Sequence, residues 1–117
     1  MMSDYPEIVA KAAEAVIKKQ GRDAVILDMR GLVGYTDYFI VATGESVLQT
    51  RAIADEVMKD LKESGFKMLH AEGYEDAAWV LLDYGELIVH IFMPEHRGFY
   101  EIEKLWGDAP AEAISEN

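Results

Sequence analysis

The sequence predicts a mixed α/β (α+β) fold, in which a five-stranded sheet packs with three helices in the order α-β-β-α-β-β-β-α. Three observations lead to this prediction. Several segments repeat apolar residues at intervals of three and four, which is the period of an amphipathic helix. Five short runs are rich in β-branched and aromatic residues and are bounded by turn residues. The chain has 117 residues, half of them hydrophobic, which is enough for one domain with its own core.

Helices are predicted where an apolar stripe is framed by start and stop signals. The first covers 5–20, and Gly21 is its expected left-handed stop. The second begins at Ser46, because Ser46 and the glutamine three residues later have the spacing of a capping box, and it ends at Gly65. The third covers 97–106. Its apolar side is formed by Phe99, Ile102 and Leu105.

Strands are predicted between and after these helices. The second strand, the second helix and the third strand form a unit that implies a parallel pair with a right-handed crossover. The last two strands are expected to pair antiparallel through a tight turn at Tyr84 and Gly85. Residues 1–109 then form a single domain, and 110–117 form a flexible acidic tail. The predicted strands are 24–29, 37–43, 67–72, 77–83 and 87–93.

Composition restricts the class of partner. The formal net charge is -11, so direct readout of nucleic acid is not expected, because phosphate binding needs clustered Lys and Arg. Basic proteins are better candidates, since opposite fields speed encounter. The absence of cysteine excludes disulfides and sulfur-ligated zinc, and fits a reducing cytoplasm. No run approaches ~18 apolar residues, so no membrane span is predicted.

The segment 72–93 is the most informative part of the chain. Between Met68 and His96 there are six acids and no Lys or Arg. Alternation along the fourth strand places Trp79, Leu81 and Asp83 on one face of the sheet. Either helices cover both faces, or part of this face is left for a partner or a second copy of the chain. A tryptophan beside acids favours the second alternative, because it is typical of an interface hot spot.

Sequence signals for a catalytic or metal site are weak. Gly44 and Ser46 precede a helix, but no P-loop or dinucleotide motif surrounds them, which favours an ordinary capped helix. The histidines match no metal-binding spacing, and a histidine such as His90 is expected to lie in the core or at an edge with one hydrogen bond. We therefore expect no cofactor, no metal and no enzymatic activity. The three histidines are His70, His90 and His96.

Several ordered blocks resemble the ribosomal silencing factor family, also called Iojap-like proteins. The blocks are DYFIVATGES, AIADEV, EGYEDAAWVLLDYGELIVHIF and RGFYEIEKLWGDA, and the similarity extends over 6–109. The resemblance implies a mixed fold related to nucleotidyltransferases, a cytosolic homodimer and no enzymatic activity. It further implies binding to the large ribosomal subunit through its basic protein number fourteen, which blocks joining of the small subunit and represses translation.

The resemblance also assigns partner-binding residues. Trp79 and Tyr84 match contact positions for the ribosomal protein, and Asp83 between them is expected to meet a basic residue there. Four further residues lie at strongly patterned positions of the family. They are Asp37, Tyr38, Arg97 and Tyr100.

Two alternatives remain open beside a translational repressor. One is a nucleotidyltransferase-like enzyme that acts on a nucleotide with magnesium. Such an enzyme needs paired acids on a strand after its Gly-Ser, whereas Asp55 and Glu56 fall in the middle of a predicted helix. The other is a homo-oligomeric scaffold, in which self-association covers the apolar face.

Overall fold

The computed structural model describes residues 4–95, 107 and 109–114. These residues form two helices and six strands, so the sheet has one strand more than predicted. The predicted helix 97–106 lies outside the described residues. The elements are α1 Glu7–Lys18, β1 Arg22–Asp28, β2 Tyr38–Thr43, α2 Val47–Glu63, β3 His70–Glu72, β4 Trp79–Asp83, β5 Leu87–Phe92 and β6 Ala111–Ala113.

The strands lie in the order β3-β4-β5-β2-β1-β6. Only β2 and β5 pair in parallel, and the other neighbours are antiparallel. The mixed sheet is therefore confirmed, but the predicted parallel pairing of β2 with β3 is wrong. After α2 the chain enters the sheet at its outer edge and returns through β4, so that β5, and not β3, lies beside β2.

The sixth strand comes from the segment predicted as a flexible tail. Ala111–Ala113 pairs antiparallel with β1, and the Ile114 N–H donates to the Ala24 carbonyl at 2.8 Å. The Tyr5 hydroxyl, in the segment before α1, donates to Glu112 at 2.7 Å and fixes the same strand. The prediction of a flexible tail is thus wrong for these residues, because tertiary pairing overrides the low β propensity of alanine and glutamate.

Local sequence signals predicted the positions of α1 and α2 correctly, with one exception at the end of α1. Ser46 caps α2, and its Oγ accepts the Gln49 N–H at 3.1 Å as predicted. The left-handed residue after α1 is Gln20, at φ 63, and not Gly21. Gly21 is required for a different reason, since a Cβ there would lie 2.5 Å from Val16 Cγ1.

Helices α1 and α2 cover one face of the sheet. We call this the helix-covered face, and its strand residues are almost completely buried. The opposite face has its own apolar cluster, centred on Phe39, Val41 and Phe92, which are also buried. Burial on that second face falls off towards β4, where Trp79 and Leu81 are only half-buried. Strand residues of the helix-covered face include Ile26, Ile40, Val80, Leu82, Val89 and Ile91.

Candidate partner-binding surface

Two strands at one edge of the sheet form the candidate surface. Strand β4 alternates as predicted, with Val80 and Leu82 buried under the helices and Trp79, Leu81 and Asp83 on the opposite face. Strand β3 pairs in register with it, and all its residues are exposed. Since directly opposed residues of an antiparallel pair share a face, the two strands present one continuous surface. We define this β3–β4 surface by His70, Glu72, Trp79, Leu81 and Asp83.

Trp79 is held in place by its neighbours on β5. The indole stacks on Phe92, with ring centroids 4.9 Å apart and an interplanar angle of 29°. Its Nε1–H donates a hydrogen bond to His90 Nδ1 at 3.1 Å. The ring is half-buried, so part of its surface remains in contact with solvent. Trp79 is thus neither wholly enclosed nor loosely held.

His90 is a core histidine with one hydrogen bond, as the sequence predicted. Only 4% of the residue is exposed, and burial lowers its pKa from 6.5 to about 4. It is therefore neutral at physiological pH. Its ring also meets Phe39 edge-on, with centroids 4.6 Å apart.

The loop before β4 is clamped from α2. Arg51 Nε donates to the Tyr74 carbonyl at 3.1 Å, and the Tyr74 hydroxyl donates to Asp55 at 2.8 Å. Gly73 adopts φ +80, and a Cβ there would lie 2.0 Å from the carbonyl oxygen of Trp79. A larger residue at this position would collide with the backbone that carries the indole. The loop therefore fixes where β4 begins.

Acids around this surface have no Lys or Arg partner among the described residues. None of the six carboxylates between 68 and 96 forms an ion pair with Lys or Arg there. Glu72 contacts His70 at 2.5 Å, and Asp83 accepts the Gly85 N–H at 2.8 Å. Four of the six acids are exposed and lie outside the strands. They are Glu75, Asp76, Glu86 and Glu95.

The other residues assigned by resemblance do not join Trp79 on this surface. Tyr84 points to the helix-covered face, is 7% exposed, and has its pKa raised by burial. Tyr38 also lies there, 4% exposed, with the Arg30 guanidinium 5.2 Å from its ring centroid. Asp37 is exposed, and its N–H donates to the Glu86 carbonyl at 3.1 Å. Arg97 and Tyr100 lie outside the described residues.

The residues that could support a transferase have structural contacts instead. A Cβ on Gly44 would lie 2.2 Å from Thr50 Oγ1, so the glycine permits β2 to pack closely on α2. Glu56, in the middle of α2, accepts a hydrogen bond from Lys18 at 2.8 Å. In the described part of the chain, no three His, Asp or Glu side chains converge as metal ligands would. These contacts give the enzyme alternative no support.

Comparison with known proteins shows to which family this chain belongs. The model of the family "Ribosomal silencing factor during starvation" matches residues 2–117. A ribosomal silencing factor from Halalkalibacterium halodurans is 42% identical over 104 residues, which cover 89% of each chain. This chain belongs to the ribosomal silencing factor family. The chloroplastic protein Iojap of Zea mays is 37% identical over 101 residues, which cover 86% of this chain and 42% of that protein.

A solved structure agrees with the fold of this silencing factor family member. The crystal structure of a Chromobacterium violaceum protein superposes with a TM-score of 0.85 at 42% identity, covering 86% of this chain and 84% of that one. The predicted membership of the Iojap-like family is therefore confirmed. Within the described residues, no helix has the length and apolar character that crossing a bilayer requires.

Sequence reasoning missed two features of the site. The first is that His90 accepts the indole N–H. The register of the β4–β5 hairpin contains this information, because Leu81 lies opposite His90 and Trp79 is its diagonal neighbour on the same face. The second is the clamp by Arg51 on the preceding loop, for which the sequence carries no signal, since the contact spans 23 residues and ends on a carbonyl oxygen.

Proposed function

We propose that this protein represses translation by binding the large ribosomal subunit with its β3–β4 surface. The partner on the subunit is its basic protein number fourteen, and the bound factor occupies space that the small subunit needs. Family membership supports action on the ribosome. The observation that carries the choice of surface is Trp79, which is half-buried, held by His90 and Phe92, and bordered by acids that form no ion pair with Lys or Arg of the described residues.

Trp79 and Leu81 supply the apolar part of this contact. A half-buried indole loses its remaining hydration when a partner covers it, and its fixed ring has little entropy left to lose. Truncating such a residue at an interface typically costs ~2–4 kcal/mol of binding free energy. The half-buried Leu81 lies between Trp79 and Asp83 on the same face and extends the apolar area.

The carboxylates supply attraction and orientation. With a net charge of -11 the protein attracts a basic surface from a distance, which raises the association rate. Asp83 and Glu72 stand on the same face as Trp79 and meet Lys or Arg of the partner. Because mobile ions screen such contacts within about 8 Å at physiological ionic strength, binding weakens as salt is added.

The proposal needs no cofactor and no chemical step. Repression follows from steric exclusion of the small subunit, in the cytoplasm where the subunits meet. Homodimer formation and contributions from Asp37, Arg97 and Tyr100 belong to the same proposal. Tyr84 and Tyr38 contribute by packing the β4–β5 turn and the start of β2 against the helices, since both rings are buried.

Replacing Trp79 with alanine tests the proposed surface. Trp79→Ala is expected to abolish co-sedimentation with purified large subunits, while the circular dichroism spectrum stays that of the folded protein. The matched control is Tyr35→Ala, which removes an aromatic ring that is 57% exposed but lies outside the β3–β4 surface. We expect this control to bind normally.

The outcome that contradicts the proposal is co-sedimentation of Trp79→Ala at the wild-type level. Repeating the assay at low and high salt tests the charge component separately. Wild-type binding that does not change with salt would contradict a role for the carboxylates and leave the role of Trp79 standing.

A further inference from the structure

One ring nitrogen of His90 is buried without a hydrogen-bond partner in the part of the chain that the structure describes, which lowers the stability of the fold. Its Nδ1 accepts the indole N–H of Trp79. Since an indole N–H can only donate, Nδ1 carries a lone pair and the proton of the neutral ring is on Nε2. Nε2 is buried and has no hydrogen-bond partner among the described residues. A buried donor without a partner is unfavourable, whereas an apolar side chain of the same shape avoids this penalty.

The surroundings of His90 are otherwise those of an apolar core position. Its ring contacts Phe39 edge-on and lies 6.2 Å from Phe92 between centroids, nearly parallel to it. Both phenylalanines are almost completely buried. Stability of the sheet alone therefore favours an aromatic or aliphatic residue at position 90. The single contact that only a histidine makes here is the one with Trp79.

We propose that His90 is a positioning residue, which fixes the indole of Trp79 in the orientation that the partner recognises. This inference rests on the proposed function of the β3–β4 surface. Without the acceptor, the indole N–H of a half-buried ring turns towards water, and the ring must be ordered again on binding. Ordering one side chain corresponds to roughly a three- to tenfold change in the dissociation constant.

Three substitutions at position 90 separate the positioning role of His90 from its packing role. His90→Phe keeps an aromatic ring but removes the acceptor, and His90→Leu serves the same purpose if phenylalanine overpacks the site. His90→Asn places a carbonyl oxygen near the former Nδ1 and restores an acceptor. Each is made in the wild-type chain and in the Trp79→Phe chain, whose ring has no N–H to orient.

Three readouts are measured on each protein. Thermal unfolding gives stability, and the NMR resonance of the Trp79 indole N–H, identified by its loss in Trp79→Phe, gives the hydrogen bond. Co-sedimentation with large subunits gives the dissociation constant. We expect His90→Phe to be at least as stable as wild type, to shift and expose the indole N–H, and to bind three- to tenfold more weakly. His90→Asn is expected to recover both the resonance and the binding.

The Trp79→Phe background decides whether His90 acts through Trp79. There, His90→Phe is expected to cause no further loss of binding. Equal losses in both backgrounds, or full binding by His90→Phe despite a shifted resonance, overturn the inference and leave the proposed function intact. Wild-type binding by Trp79→Ala overturns the proposed function itself, and the positioning role is then rejected with it.

Discussion

The two faces of the sheet differ in how far they bury apolar side chains and in how their acids are paired. On the helix-covered face, apolar side chains such as Leu82 and Val89 are fully buried. Two acids of the covering helix α2 are paired there, since Lys18 Nζ lies 2.8 Å from Glu56 and 3.1 Å from Asp60. On the β3–β4 surface, apolar side chains are half-buried, and none of the described acids pairs with Lys or Arg.

This difference fits the proposed function, in which the helix-covered face stabilises the subunit and the β3–β4 surface binds the partner. Paired charges and closed packing stabilise the subunit, and they leave little for a partner to gain. Carboxylates that lack a Lys or Arg partner repel one another and a half-buried tryptophan remains partly hydrated, so both would favour the proposed complex with a basic protein. In the proposed complex, the partner covers the half-buried side chains of the β3–β4 surface and pairs with its carboxylates.

The first prediction compares two adjacent leucines that point to opposite faces, and the greatest loss of stability is expected at Leu82. Leu82→Ala should destabilise the protein by about 2–5 kcal/mol, because it leaves a cavity under the helices. Leu81→Ala removes a half-buried side chain and should cost about 1 kcal/mol of stability, yet it should weaken binding to large subunits. Chemical denaturation and co-sedimentation measure the two effects. Similar stability losses for both variants would contradict the comparison.

A second prediction concerns the loop that places Trp79. Gly73→Ala should destabilise the protein by about 1–3 kcal/mol more than Gly31→Ala does. Both glycines have nearly the same positive φ, +80 and +81, but a Cβ meets the Trp79 carbonyl only at Gly73 and nothing within 4 Å at Gly31. Thermal unfolding of the two variants separates the effect of the Cβ contact at Gly73 from the cost of a left-handed backbone, which both share. Equal decreases in the unfolding temperature would contradict the predicted contact.

The smallest expected effect is that of a single charge. Asp83→Asn keeps an oxygen for the Gly85 N–H and removes the negative charge, so the turn should survive. Its association rate with large subunits should fall a few-fold at low salt, and the difference should shrink as salt is added. Glu14→Gln, an exposed position on α1, is the matched control and should associate like wild type. The idea fails if the two variants behave alike.

Local patterns predicted most of the fold. The start of α2 was correct because Ser46 and Gln49 form their capping contact within four residues. The β4–β5 hairpin was correct because the turn at Gly85, with φ +87, joins strands that are adjacent in sequence. The alternation that separates Trp79 from Val80 was also correct, since it depends only on the two-residue period of a strand.

The errors come from long-range pairing, which local patterns do not encode. Ala111–Ala113 is a strand because β1 offers it an open edge, and its own residues have little preference for extended structure. The partner of β2 was wrong because the crossover rule fixes handedness but not which later strand lies alongside. The contact of Tyr84 with the partner, which the resemblance implies, stays a prediction, and its ring lies on the helix-covered face, as strand alternation requires.

Photocrosslinking from two glutamate positions tests whether the β3–β4 surface contacts the ribosomal partner. A benzoylphenylalanine replaces either Glu72, which is exposed on the β3–β4 surface, or Glu14, which is exposed on α1. After mixing with large subunits and irradiation, we expect a crosslink to a basic ribosomal protein from position 72 and none from position 14. A crosslink from position 14 with none from position 72 would show that the helices face the ribosome, and the β3–β4 surface would then be rejected as the binding surface.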